Sequence, residues 1–159
     1  DDVLNSDTFF ESNHEHLEGL GPDENPREFI NPAAVERLNR LLDRADPTPT
    51  VVLSSSWRHE FNVDEMTSIL QDRGFEFSVE DRTPGRAQRR AYGWGRGRRP
   101  SEDRGVYLRN FLKYKRTLRE SEIDSVVVLD NLPVEELEPL HDYVVQTEPE
   151  HGLQDEHVE

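Results

Sequence analysis

Cysteine is absent from the 159 residues, which excludes disulfides, thiolate metal sites and a cysteine nucleophile. Lysine is nearly absent: of 19 basic residues, only Lys113 and Lys115 are not arginine. No apolar run approaches the roughly 20 residues that a membrane helix needs. No signal-peptide pattern opens the chain, which begins Asp1-Asp2 rather than with Met. These absences lead us to expect a cytoplasmic protein without a membrane partner, and a further piece upstream of residue 1. Hydrophobic residues make up only 33%, still enough for one core, and the length suits a single domain over 1–159.

Acid fills the space that lysine leaves. The 34 Asp and Glu give a net charge of −15. One reading is solubility in high salt, since dense surface carboxylate keeps a chain dispersed. A second reading is that the acid surrounds a concentrated basic segment. From Arg82 to Arg104 there are eight arginines and two acids, so this window carries +6 and the remainder −21. Tyr92, Trp94 and four glycines (Gly85, Gly93, Gly95, Gly97) lie among Arg86, Arg89, Arg90, Arg96, Arg98 and Arg99. A Gly/Arg/aromatic loop suits phosphate contact and base stacking; the competing reading is a solvated loop paired with the protein's own carboxylates. Random placement rarely gathers eight of 19 bases in 23 residues, which favours a polyanion contact.

The periodicity predicts alternating elements. Residues 5–30 are polar and broken by Gly19, Gly21, Pro22 and Pro26, and are expected to be irregular. Asn31 caps and Pro32 opens a helix whose stripe is Val35, Leu38, Leu41, Leu42 and Ala45. Thr50 to Leu53 is a short apolar strand that runs into Ser54-Ser55-Ser56-Trp57-Arg58. Asn62 with Glu65 forms a capping-box start for a second helix, which closes at Gly74. Phe75–Val79 reads as a second strand. After the Arg-rich segment, Ser101 caps a third helix with Leu108, Phe111, Leu112 and Leu118 inward. Ile123–Leu129 reads as a strand ending in Asp130-Asn131, followed by a short helix within 134–140 and a strand at Tyr143–Val145. Alternation of this kind argues an α/β fold with parallel strands, whose ligands sit at the carboxyl ends of the strands.

Two strand ends are chemically loaded, Leu53→Ser54 and Leu129→Asp130, and the opening Asp1-Asp2-Val3-Leu4-Asn5-Ser6 is similar to the back half of an Asp-x-Asp-x-Val-Leu strand end. Phosphoryl transfer needs such groups: a nucleophile, a proton donor for the leaving oxygen, a divalent cation held by hard oxygen ligands, and donors for the phosphate oxygens. Two carboxylates two residues apart on an extended segment face the same side and can share nucleophilic and acid/base work.

In order and spacing, these segments resemble the haloacid dehalogenase (HAD) superfamily of phosphohydrolases. Ser54-Ser55-Ser56-Trp57-Arg58, Thr83-Pro84, Arg104-Gly105, Val145-Gln146-Thr147 and Gly152-Leu153 resemble its small branch associated with RNA repair proteins. The resemblance implies a three-layer Rossmannoid fold with a parallel central sheet and no cap. It implies Mg²⁺ as cofactor, with Asp1, Asp130 and Asn131 around it. Asp1 matches the second aspartate of the family motif, the general acid/base, whose backbone carbonyl reaches the metal. The nucleophilic aspartate falls two positions before Asp1, and the strand leading to it is expected upstream. Asp1-Asp2 cannot replace the pair, because adjacent side chains on a strand point to opposite faces. Ser54 matches the phosphate-binding hydroxyl, with Ser55 beside it; the bland alternative is a serine capping a turn. Arg104 matches the phosphate-facing cation, usually lysine in the family, or is one more loop arginine. Asn131 stands where a second acid is frequent, and its neutrality weakens a metal site.

Trp57 and Arg58 read either as a wall and phosphate contact for a polynucleotide or as a packing Trp with a surface-paired Arg. His14-Glu15-His16 lacks the further ligands of a metal site and reads as solvated loop. Neither the interval 7–30 nor that between the second and third motifs has room for a folded cap. An open site favours a large substrate: a nucleic-acid end, contacted by Arg89, Arg90, Trp94, Arg98 and Arg99, or another phosphorylated macromolecule. The alternative is a HAD-like domain without catalysis, kept for binding or as part of an assembly such as a virus particle. A small-metabolite phosphatase is disfavoured by the missing cap.

Overall fold

Helix α3, Pro32–Asp43, starts where the sequence places it. The Asn31 side chain accepts from the Ala33 N–H, and proline occupies the first turn, where its missing donor costs nothing. Ala34, Val35, Leu38 and Leu42 are buried on one face. These assignments come from a computed structural model that describes residues 2–84, 104–119, 123, 125–138 and 140–158, with side chains of the last helix described for 105–115. Asp1, Arg89, Arg90, Trp94, Arg98, Arg99 and the Ser101 cap lie outside the described residues, as do the side chains of Arg104 and Leu118.

The chain divides into two compact units, Asp1–Arg82 with Thr147–Glu159, and Thr83–Gln146. In the first, β1 (Val51–Leu53) and β2 (Val79–Arg82) pair in parallel, with Leu53 opposite Arg82. Helix α4, Val63–Gln71, connects them and packs on β2. Its capping box is complete: Asn62 accepts from the Glu65 N–H, and the Glu65 carboxylate accepts from the Asn62 N–H. Such caps are worth about 1 kcal/mol each. Met66, Leu70, Phe75 and Val79 are buried.

The second strand is not where the apolar residues predict it. Phe75–Phe77 lies ahead of β2, and its backbone is held by side chains instead of a ladder. Buried Asn39 donates to the Gly74 carbonyl at 2.7 Å and accepts from the Glu76 N–H at 3.1 Å, and Gln71 donates to the Phe77 carbonyl. The ladder begins at Val79, whose N–H donates to the Thr67 hydroxyl, and runs through the polar residues Glu80, Asp81 and Arg82. Residues 7–30 also depart from expectation. They contain two short helices, α1 (Asp7–Ser12) and α2 (His14–Leu17), and a 3₁₀ turn at Pro26–Phe29. Ser6 caps α1 through the Phe9 N–H, and the Asp7 and Thr8 N–H groups donate to the carbonyls of Pro149 and Glu150. Helices this short do not persist alone, so these bonds to the C-terminal segment are what support α1. His16 lies 2.9 Å from Glu28, and Arg73 donates to the same carboxylate. These hydrogen bonds, the His16 one foremost, hold the Glu28 carboxyl below its ordinary range against a partial opposing effect of burial.

In the second unit, β3 (Val128–Asp130) and β4 (Val144–Gln146) pair in parallel, with Asp130 opposite Gln146. Helix α5, Arg104–Arg119, packs Leu108 against Leu137 and Leu140, with Tyr107, Leu112, Val128, Leu132 and Val144 around them. The expected strand from Ile123 is shorter than its apolar run, because Ile123 and Val127 are exposed and only 128–130 join the ladder. The 134–140 segment is a 3₁₀ turn at Val134–Leu137. The fold is therefore α/β with parallel strands, and among the described residues these form two two-stranded sheets. No described helix is long and apolar enough to cross a membrane.

Gly105 shows why a glycine follows Arg104. A β-carbon there would strike the Leu137 carbonyl group and the Glu138 carbonyl oxygen, so α5 approaches that backbone only because the side chain is missing. Alanine in a helix usually stabilises by about 1 kcal/mol over glycine. Gly105→Ala is expected instead to destabilise this unit by about 1–3 kcal/mol through overpacking, measured by urea unfolding. A gain in stability would contradict the close approach.

Candidate active site

The β1 strand delivers Ser54 at its carboxyl end, and the chain then turns through a single 3₁₀ turn, Ser56–His59. Ser55 is its cap: the hydroxyl oxygen accepts from the Trp57 N–H at 3.3 Å. Arg58 is 7% exposed. Its Nη1 folds back to donate to the Ser54 carbonyl at 2.6 Å and to the Ser55 carbonyl. From the end of β2, Arg82 donates through Nη1 to the carbonyls of Arg58 (2.9 Å) and Phe61 (2.7 Å). Trp57 and Phe61 meet edge-to-face at 6.3 Å. Ser54, Ser55 and Arg58 thus belong to one loop, as the sequence predicts, and the Arg58 guanidinium donates to that loop's own carbonyls.

The segment after Asp1 is fixed by the chain's C-terminal residues. Fully buried Thr147 donates its hydroxyl proton to the Asp2 carbonyl, and the Leu153 N–H donates to the Val3 carbonyl at 2.9 Å. The Asn31 N–H donates to the Leu4 carbonyl at 2.8 Å, which ties the same segment to the start of α3. Gly152 sits between them at φ +66°, and a β-carbon there would come 3.0 Å from the Val3 carbonyl oxygen and 3.1 Å from that of Asn5. Only glycine combines that left-handed backbone with so close an approach at little cost. This gives a physical reason for Thr147 and Gly152-Leu153, which the sequence offers only as a likeness.

In the other unit, Asp130 is the last residue of β3 and 7% exposed. Its Oδ1 accepts from the Leu132 N–H at 3.2 Å, which orients the carboxylate over the turn that follows. Asn131 is half-buried beside it. Thr83 is buried, and Pro84 is held by the Tyr107 hydroxyl, which donates to its carbonyl. Arg104 opens α5. Among the described residues, no three His, Cys, Asp or Glu side chains gather as a metal site; His14-Glu15-His16, read from the sequence as loop, is instead part of α2, and His16 lies 2.9 Å from Glu28.

Sequence reasoning missed Arg82. It counted as one of eight arginines in the basic window, whereas it is the final residue of a strand and is turned onto carbonyls. The available signal was its place ahead of Thr83-Pro84, before the glycines begin.

A family described as the HAD domain in Swiss Army Knife RNA repair proteins matches residues 1–158. The chain belongs to that family. No curated protein and no solved structure matches the chain.

Proposed function

We propose that this HAD domain is an Mg²⁺-dependent phosphatase that works through an aspartyl-phosphate and acts on the terminal phosphate of a nucleic acid. The observation that carries the reading is the pair of loaded strand ends. Ser54 follows β1, and buried Asp130 ends β3, each at the carboxyl end of a parallel strand, where α/β folds place ligands.

The groups that the resemblance assigns to the metal, the Asp130 carboxylate, the Asn131 amide oxygen and the Asp1 carbonyl, are by their chemistry hard oxygen donors, which Mg²⁺ prefers. When bound, the ion neutralises charge on the transferring phosphoryl group. In this reading the nucleophile is the aspartate that the family motif places two positions before the one matched by Asp1. Its carboxylate oxygen bonds to phosphorus as the bond to the nucleic-acid oxygen breaks, and Asp1 gives its proton to that leaving oxygen. Asp1 then takes a proton from water as the water oxygen attacks the acyl phosphate, releasing inorganic phosphate and restoring the aspartate. The Ser54 hydroxyl and Arg104 hold the phosphate oxygens, with Ser55 beside them.

Two features support a polymeric substrate. Residues 7–30 are two short helices and a turn, and the arginine-rich window carries +6. Arg89, Arg90, Trp94, Arg98 and Arg99 are its proposed contacts. The test compares phosphate release from 3′- and 5′-phosphorylated oligonucleotides with release from p-nitrophenyl phosphate. The expected result is a kcat/KM at least about a hundredfold higher for one of the oligonucleotides, the worth of two or three lost contacts. Equal values would assign a small-metabolite phosphatase. Asn131 favours a second reading, a HAD-like domain that binds without turnover, because it leaves the β3 end with one carboxylate.

A further inference from the structure

We infer that Arg82 is a positioning residue for the Ser54–Ser55 loop and that it works through Arg58. Its consequence for turnover rests on the phosphatase reading above; its geometry does not.

A single helical turn is weak by itself, since it fixes several dihedrals for one or two hydrogen bonds. The turn at Ser56–His59 has backbone bonds from Glu60 and Phe61 to the Trp57 carbonyl and one from Arg58 to the Ser55 carbonyl. Carbonyls at the end of a turn still need donors. Guanidinium groups supply them to Ser54, Ser55, Arg58 and Phe61. The two arginines act in series. Arg82 is anchored by the parallel ladder, where it lies opposite Leu53, the residue before Ser54. Its side chain fixes the carbonyls of Arg58, within the turn, and of Phe61, two residues beyond it. Arg58, with its backbone so held, sends its own side chain back to the carbonyls of Ser54 and Ser55. The position of the serines is thus set from β2 through two side chains, in a stretch where Trp57 and Phe61 supply the aromatic packing.

Catalysis by a held hydroxyl is sensitive to such a strut: a misplacement of about 1 Å costs about a hundredfold in rate. The chemistry also says which substitutions matter. Both bonds from Arg82 leave through one nitrogen, so an ammonium, with three donors on one nitrogen, can replace much of the function. A thioether of similar length cannot. Arg58 is too buried for a clean test, whereas Arg82 is half-buried.

The experiment takes the full chain with Arg82→Met and Arg82→Lys and follows amide hydrogen exchange and turnover. In Arg82→Met, exchange at 55–61 is expected to rise at least about tenfold, the worth of one lost hydrogen bond. Exchange over α3 stays as in the wild type, and Arg82→Lys stays close to the wild type throughout. On a 3′-phosphorylated oligonucleotide, Arg82→Met is expected to lower kcat by about ten- to a hundredfold with KM within about twofold, as for lost orientation without lost binding. Unchanged exchange at 55–61 overturns the inference. So does a rise shared equally by α3, which is general destabilisation, and so does a raised KM with a shallower salt dependence, which is direct substrate contact. If the wild type releases no phosphate, the phosphatase reading fails alone, and the exchange at 55–61 decides the positioning.

Discussion

Asp130→Asn is expected to lower Mg²⁺-dependent phosphate release by at least about a thousandfold, the loss of about 4 kcal/mol of transition-state stabilisation, while the protein keeps its fold. The substitution is nearly isosteric. The Leu132 N–H can still donate to the amide oxygen as it does to the carboxylate, so the turn after β3 retains its bond. What goes is the charge. The adjacent Asn131 is already neutral, so at this strand end Asp130 is the carboxylate that a hard dication would bind. Thermal unfolding checks the fold, and phosphate release across a Mg²⁺ titration checks the site. Asp130→Ala should give the same loss of turnover. Retained turnover in either variant would remove Asp130 from the metal site.

The second large effect concerns the basic window. Replacing Arg89, Arg90, Arg98 and Arg99 together with glutamine is expected to weaken oligonucleotide binding about a hundredfold at 0.1 M salt. It should also reduce the slope of log affinity against log salt by about 3, since each lost single-strand phosphate contact contributes about 0.7. Outside this window the chain carries −21 and repels a polyanion, so the attraction must be local. Fluorescence anisotropy at several salt concentrations measures both quantities. Unchanged binding would make the segment a solvated decoration of an acidic protein.

What the sequence revealed follows from which interactions leave a pattern. Asn31-Pro32 and the Asn62/Glu65 box are local, so the starts of α3 and α4 can be read directly, as can the apolar β1 that runs into Ser54. The place of Asp130 is legible because the apolar run that makes β3 stops at that carboxylate. Elements built on distant side chains are not legible. The β2 strand is polar, and the segment before it is held by Asn39 from α3. The α1 helix depends on carbonyls of Pro149 and Glu150, about 140 residues away. Arg58 and Arg82 bind backbone carbonyls, which every residue possesses, so their positions in the sequence do not reveal these partners. The reading of 5–30 as irregular fails for the same reason: the helices there are short and carry no stripe of their own.

Metal-dependent phosphatase activity is decided by inorganic phosphate release from a 3′-phosphorylated RNA oligonucleotide, with Mg²⁺ and with EDTA, using the full-length protein. Release is expected with Mg²⁺ and not with EDTA, and is lost when Asp130 is replaced. Equal release in EDTA would contradict the metal-dependent chemistry, and no release from 3′- or 5′-phosphorylated ends by the folded protein would contradict the nucleic-acid phosphatase itself.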